Sequence, residues 1–362
     1  MKKIMKKTLI LILTIFILIS TNVFGAIKNF DDFEIEVRKL EPKKQQKLFE
    51  DYINKSSGDK VKVYPYLGYM YYNGIGVEKN IDMGVNIYQR AAEEDSKLGY
   101  YLLGKHLVES GKDIEKGLTY IVKASDANVV EATLYIAKIY EEGIGFQKDP
   151  YYALEYYHRA AKKGSGKAKF YIAKQLLESG QPTNYKKGME YLTNSADLNY
   201  EEACDTLQKL YMTPNKIVDR DTKKHAKYLI CSANNDNVDS IKKVAEYYSK
   251  GIIVMIDNKR AYQYYKKYIN IITNPKSKEE LNTYYKAGIS FIKFKKYNEA
   301  VELLRTASRG DVAEASNALA RLYESNYLGK PDYEKALAFY KAAQNQGIDT
   351  TEATLRVQKN MK

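Results

Sequence analysis

The stretch YIAKIYEEGIGFQKDPYYALEYYHRAAKKG, Tyr135 to Gly164, decides the fold. Its first part sets the pair Ile136-Ala137 three residues ahead of Tyr140, which places an apolar–small pair and an aromatic ring on one helix face. Its second part sets Ala153, Tyr156, Tyr157, Ala160 and Ala161 at the same helical spacing. Small residues let two backbones approach while the tyrosines fill the space beside them. Between the two parts runs the loop Glu141-Glu142-Gly143-Ile144-Gly145-Phe146. A glycine after a helix supplies the left-handed backbone that ends it, and the second glycine permits a tight reversal. The unit is a helix hairpin, with helix A leading into helix B.

The same signature extends in both directions. Leu67-Gly68 precedes Tyr71, Val244-Ala245 precedes Tyr248, and Leu319-Ala320 precedes Tyr323. Helix A anchors fall at Gly68, Gly104, Ala137, Ala173, Gln208, Ala245, Gly288 and Ala320. From helix B to the next anchor, the step is 20 residues at Gly84–Gly104, Gly117–Ala137, Ala153–Ala173, Gly188–Gln208 and Ala300–Ala320. It is 19 at Ala226–Ala245, and only Ala261–Gly288, at 27, departs clearly. Inside a hairpin the spacing varies from 12 to 18, so insertions belong to the loop joining A to B. A copied, stacked unit predicts an all-α solenoid of about eight repeats, which is first a binding surface. The Gly-x-Gly loop is a cap and not a phosphate cradle. A helix precedes it where a strand is required, and no Lys-Ser follows.

Composition agrees. Apolar residues make up 44% of the chain, enough for a continuous core, and 35 tyrosines with no tryptophan suit helix faces where a ring packs and a hydroxyl reaches water. Residues 1–25 read as a secretory signal peptide. Lys2, Lys3, Lys6 and Lys7 form the positive region, Leu9 to Ile19 the apolar one, and Val23-Phe24-Gly25 precede a cut at Ala26. An uncleaved anchor is the rival reading. Cysteine is absent near the cut, which argues against a lipid anchor, and no later stretch is apolar enough to span a bilayer. The expected location is outside the cytoplasm, in the periplasm or secreted. Formal charge is +13, or +9 without the four leader lysines, and suits either an anionic partner or a solvated lysine-rich surface. Nothing points to nucleic acid.

Tyr66 to Ala92 and Tyr135 to Gly164 resemble the Sel-1-like repeat, a relative of the tetratricopeptide repeat, as does the last unit, LARLYESNYLGKPDYEKALAFYKAAQNQG. The resemblance runs from Val61 to Gly347. It weakens in the units near Leu103, Ile172, Leu207 and Val244, and Tyr284 to Gly310 is closer to a tetratricopeptide repeat. It implies a right-handed superhelical αα-solenoid over residues 61–348 that scaffolds other proteins. Residues 26–60 are then an N-terminal cap. Residues 349–362 are a terminal helix, in which Glu352-Ala353-Thr354-Leu355 echoes Glu131-Ala132-Thr133-Leu134.

In such superhelices helix A lines the concave side. The positions following the anchors are Tyr69, Lys105, Lys138, Lys174, Lys209, Glu246, Ile289 and Arg321. The four successive lysines, flanked by Tyr69 and Arg321, form a candidate ladder for an acidic peptide or an anionic envelope polymer; a solvated polar edge is the alternative. Cys204 and Cys231 are the only cysteines, and in an exported chain they form either a disulfide or two buried thiols. Their offsets place them at similar height, but five residues turn a helix about 140° from its starting face. His106, His158 and His225 belong to different repeats, so no metal set or catalytic triad is expected, and no cofactor. The resulting expectation is a non-enzymatic exported scaffold for a protein partner. Some cysteine-rich members of the resembled family are associated with β-lactam binding or hydrolysis, which makes a peptidoglycan-related activity the alternative, though this chain lacks their cysteine spacing.

Overall fold

The computed structural model describes residues 30–56, 58, 60–145 and 147–361. The leader expected over residues 1–25 and Phe146 of the glycine loop lie outside the described residues. Among the described residues there are nineteen helices and no strand. Two helices, α1 (Phe30–Lys39) and α2 (Pro42–Lys55), come first. Then A and B helices alternate: α3 (Lys60–Asn73) with α4 (Ile81–Glu93), α5 (Lys97–Glu109) with α6 (Ile114–Asp126), and α7 (Val130–Glu142) with α8 (Pro150–Lys162). Next are α9 (Gly166–Glu178) with α10 (Pro182–Asp197), α11 (Glu201–Leu210) with α12 (Thr222–Asn234), and α13 (Val238–Lys250) with α14 (Asn258–Ile271). The last are α15 (Lys278–Lys293) with α16 (Tyr297–Arg309), α17 (Ala313–Glu324) with α18 (Tyr333–Asn345), and the single α19 (Thr351–Asn360). The fold is the all-α solenoid expected, with eight hairpins. Its contacts divide into two compact units, separated after Ile172 within α9.

Within a hairpin the two helices meet at their small residues. A Cβ on Gly104 would stand 2.7 Å from the Gly117 carbonyl oxygen, and one on Gly117 would stand 2.8 Å from that of Gly104. Gly68 and Gly84 approach in the same reciprocal way. In later hairpins alanines take the corresponding positions, and Ala245, Ala261, Ala320 and Ala336 are all fully buried. Larger side chains close the core around these crossings: Phe33, Met70 and Ile121 in the first unit, Leu229, Tyr265 and Phe291 in the second.

The constant step from B to the next A has a backbone cause. One residue in each such turn is left-handed: Asp95, Asn128, Gly164, Asn199, Asp236, Asp311 and Gly347. Each is followed by an amide that reaches back five residues, as in Ser96 N–H to Ala91 O (2.9 Å), Val129 to Ala124 (3.0 Å) and Val312 to Ala307 (3.1 Å). This closure satisfies helix-end carbonyls and fixes the exit direction. Between α14 and α15 it is missing, and a capping box at Ser277 and Glu280 starts α15 instead. That is the 27-residue step. Aspartate or asparagine caps many B helices, with Asn80, Asp113, Asp149, Asp221, Asp257 and Asp332 each accepting a backbone N–H of the first turn, for about 1 kcal/mol apiece.

Three A-to-B loops share one conformation. Gly74 and Gly76, Gly143 and Gly145, and Gly251 and Ile253 all have positive φ. Ile253, at φ 67°, stands where the other two loops have glycine, and a β-branched residue there costs about 1–2 kcal/mol. At the other end of the chain, α19 is latched through Glu324. The Arg356 Nε donates to Oε1 (2.7 Å), Nη2 to Oε2 (2.9 Å), and the Tyr340 hydroxyl to Oε2 (2.7 Å). Arg356, then Tyr340, hold the Glu324 carboxyl below its ordinary value despite burial, while burial first, then Glu324, pushes the Tyr340 hydroxyl up to about 12.

Two predictions follow from this packing. Gly104→Ala gains about 1 kcal/mol of helix propensity but forces two backbones apart, for a net loss of about 1–2 kcal/mol in denaturant unfolding. Unchanged stability would mean that the crossing is not tight. Glu324→Gln lowers stability by about 1 kcal/mol at pH 7, since Arg356 is more than half exposed and its charge is screened. A depressed carboxylate stabilises above its unfolded value of 4.5 and loses that contribution as pH falls through its lower folded value. Melts of the two proteins therefore differ at neutral pH and converge in acid.

Candidate partner-binding face

In the second unit the A helices α15 and α17 turn a shared face outward. Tyr285, Ile289 and Ile292 lie at i, i+4 and i+7 on α15, opposite Asn317, Ala318, Arg321 and Leu322 on α17. With Tyr327 and Glu314 they line a shallow concavity of about 280 Å³. Its floor is half-buried and aliphatic, and Glu314 and Arg321 are exposed at its edge. Burial raises the Tyr285 hydroxyl, Glu314 raises it further, and Arg321 opposes this. The residues form a socket for one apolar side chain, with an acceptor, a cation and an amide around it. The preceding A helix continues this side with a charge pair, Lys286 Nζ to Glu246 Oε1 (2.6 Å).

Of the ladder residues, Tyr69 departs from the position expected. Tyr69 is buried beneath α1: its ring packs edge-on to Phe30 (5.2 Å) and Phe33 (6.0 Å), its hydroxyl accepts from Arg38 Nη2 (2.8 Å), and it donates to Glu34 (2.8 Å). The open groove position read for Tyr69 is therefore filled by the chain's own first helix. Lys105 is half-buried, with Nζ 6.0 Å from the Tyr135 ring centre on α7. Lys138 pairs with Glu142 (3.8 Å) and Lys174 with Glu178 (3.9 Å), each one turn along its own helix. Lys209 is exposed on α11, and Arg321 reaches the concavity. Such exposed pairs contribute at most a few tenths of a kcal/mol, but they halve the charge that a partner meets. Within each unit these residues are of mixed sign. The signal was present in the spacings KIYEE and KQLLE, a lysine four residues before a glutamate. Ile289 was visible as the residue after Gly288, whereas Tyr285, Ile292 and Asn317 carried no individual mark.

Other candidates resolve into structure. Nδ1 of His225 lies 2.7 Å from the Gln208 carbonyl oxygen and donates to it, and Nε2 contacts the Tyr247 hydroxyl (3.3 Å). Nδ1 of His106 contacts the Tyr72 hydroxyl at 3.2 Å, and His158 is half-buried on α8. Glu141 accepts from both Tyr157 (2.8 Å) and Tyr171 (2.9 Å), whose rings stack at 3.7 Å; burial first, then this carboxylate, pushes the Tyr171 hydroxyl up to about 12. Among the described residues no group of three or more His, Cys, Asp or Glu is placed to hold a metal ion. Among them also, no helix is long and apolar enough to cross a membrane. Cys204 on α11 and Cys231 on α12 are 5.7 Å apart at Cα, with their sulfurs bonded.

Comparison with known proteins matches the Sel1 repeat to residues 66–96, 97–129, 130–165, 166–200, 238–267 and 313–348, more than half of the chain. The hairpins α11–α12 and α15–α16 lie mainly outside these matches. Chitin synthase regulatory factor 3 of Schizosaccharomyces pombe is 36% identical over 100 residues, which is 26% of this chain and 11% of that protein. Among solved structures, the protective antigen c5321 of uropathogenic Escherichia coli, which displays an SLR fold, matches 85% of this chain and 66% of its own at 19% identity and TM-score 0.44. A Sel1 repeat protein from Oxalobacter formigenes matches 69% of this chain and 86% of its own at 20% identity and TM-score 0.37. The immunity protein Pa5087 of Pseudomonas aeruginosa matches 59% and 80% at 20% identity and TM-score 0.45.

The cysteine geometry makes a direct prediction. Thiol titration of the denatured, unreduced chain should find no free thiol. With its ends 27 positions apart in sequence, loss of the bridge in Cys204→Ser should lower stability by about 3–4 kcal/mol. Two titratable thiols would remove the bridge.

Proposed function

Because the chain belongs to the Sel1 repeat family, we propose that it is an exported scaffold that holds a protein partner on its A-helix face, in the cell envelope or outside the cell. Sel1 repeats build scaffolds for protein–protein interaction. Export rests on the amino-acid pattern of residues 1–25, a positive region followed by a short apolar one. The observation that carries the binding reading is the concavity between α15 and α17, where aliphatic side chains stand half-open beside Glu314 and Arg321. A rigid helical floor spends little ordering entropy on binding, so one anchored side chain and one ion pair suffice to set specificity. The partner segment that fits offers an aliphatic or aromatic anchor beside a carboxylate for Arg321. Mixed charge along the A helices of the second unit favours such a peptide over a uniformly anionic polymer, which would meet Glu178 and Glu246 as well as lysines.

The test compares partner capture from envelope extract by the unaltered chain, an Ile289→Asp/Arg321→Glu variant and a Lys105/Lys138/Lys174/Lys209 charge reversal. The first variant should lose a defined partner at least tenfold with an unchanged melting curve. The second should lose much less. Equal capture by all three would remove the face from the mechanism. Recovery of the full-length precursor in the cytoplasm, with no chain beginning at Ala26, would remove the export reading.

A further inference from the structure

The most exposed large apolar side chain among the described residues is Met255, at 89%, on the loop between α13 and α14. Beside it Ile256 is 64% exposed, and Ile252 and Ile253 are both exposed. Only Val254 of this run turns inward, packing against the core. The chain supplies its own control. Gly74-Ile75-Gly76-Val77-Glu78-Lys79-Asn80 aligns with Gly251-Ile252-Ile253-Val254-Met255-Ile256-Asp257. Both loops make the same backbone bonds, Asn80 N–H to Tyr71 O (2.8 Å) and Asp257 N–H to Tyr248 O (2.9 Å). At the equivalent positions a third loop carries Gln147 and Lys148. The loop therefore folds as its relatives do, with three water-compatible positions replaced by isoleucine, methionine and isoleucine. Packing does not require the change, and left-handed Ile253 opposes it.

The edge around this loop is basic. Contacts beside the A-to-B loops join successive hairpins of the second unit: His225 on α12 to Tyr247 on α13 (3.3 Å), Tyr262 on α14 to Phe294 (4.6 Å), and Tyr297 on α16 stacked on Tyr327 (4.7 Å). Along them stand exposed Lys216, Lys259, Lys295, Lys296 and Lys330, and among the described residues none of the five pairs with a carboxylate. Of the edge's carboxylates, Asp221, Asp257 and Asp332 are engaged as helix caps, while Asp219 and Glu334 are exposed and fewer than the basic residues around them. On the opposite edge of the same unit the charges are paired instead, Asp197 with Lys227 (3.1 Å) and Asp236 with Lys267 (2.8 Å).

We propose that this loop edge docks on an anionic phospholipid surface, with Met255 and Ile256 inserted among the acyl chains and the lysines on the headgroups. Apolar insertion and lysine attraction act together at such a surface, each lysine adding to binding within a Debye length.

The chain has no tryptophan, so a Met255→Trp variant reports from this loop alone. With vesicles of phosphatidylglycerol and phosphatidylcholine, its emission should shift to the blue and be quenched by brominated acyl chains. Adding Ile256→Asp should weaken partition about tenfold or more, the loss of one buried aliphatic side chain, and Lys295→Glu/Lys296→Glu or high salt should weaken it several-fold. A circular dichroism melt confirms that each variant is folded. Unchanged emission with every vesicle composition overturns the proposal. An equal shift with pure phosphatidylcholine that ignores the lysine changes overturns the assignment to an anionic surface. A shift that grows with protein concentration without lipid assigns the loop to a second copy of the chain and overturns it too.

Discussion

Close approach of two backbones at the middle of each hairpin is the constraint from which the rest follows. At Gly104 and Gly117 the helices are so near that a Cβ on either would press on the other's carbonyl oxygen. Once the crossing is this tight, the tyrosines and aliphatic residues on either side have little freedom about where to pack. The A helix is then held at a set distance from its partner, and its outer side chains are presented in register. Binding by such a surface depends on rigidity, because side chains already ordered by the core lose little entropy when they meet a partner.

Stacking adds a second constraint. The left-handed residue after seven of the eight B helices, Asp95, Asn128 or Asp311 for example, points the next helix back onto the previous hairpin with the same geometry. The A-to-B loops are less restricted: three share one conformation, but their lengths range from the three residues between α15 and α16 to the eleven between α11 and α12. One edge of the array is thus conserved in conformation, and the other is free to acquire chemistry. The loop at Ile252 to Ile256 shows that freedom, keeping the backbone of its relatives while changing what it offers to the surroundings.

The hairpins and their order were legible in the sequence because both constraints leave marks in residue type. Small residues are obligatory where backbones touch, and Asn, Asp or Gly is favoured where φ is positive, so the 20-residue step could be read directly. The 27-residue step was also visible, and its cause is the capping box that replaces the usual turn before α15. The functional face was legible only in part. Tyr69 satisfied the pattern for a groove residue, but whether a groove position is open depends on α1, whose docking through Phe30 and Phe33 has no repeat to announce it. The lysine row was found and its glutamate row was not, because the pairs sit at i and i+4 and only one register was followed. The concavity at Tyr285 and Ile289 arises from two helices meeting, which no single-helix pattern encodes.

Repetition separates roles by geometry. A substitution at an anchor such as Ala245 is felt by both helices of its hairpin and by the repeat beside it, so chemistry there is confined to small side chains. At the outer face of α15 or the tip of the α13–α14 loop, a substitution touches only what lies outside the fold. Ile253 is the informative exception, because it costs the fold about 1–2 kcal/mol at a position where glycine would cost less. A residue that strains its own backbone while exposing its side chain gains nothing from intramolecular packing. Its contribution must therefore be sought in what the loop touches when the protein is at work.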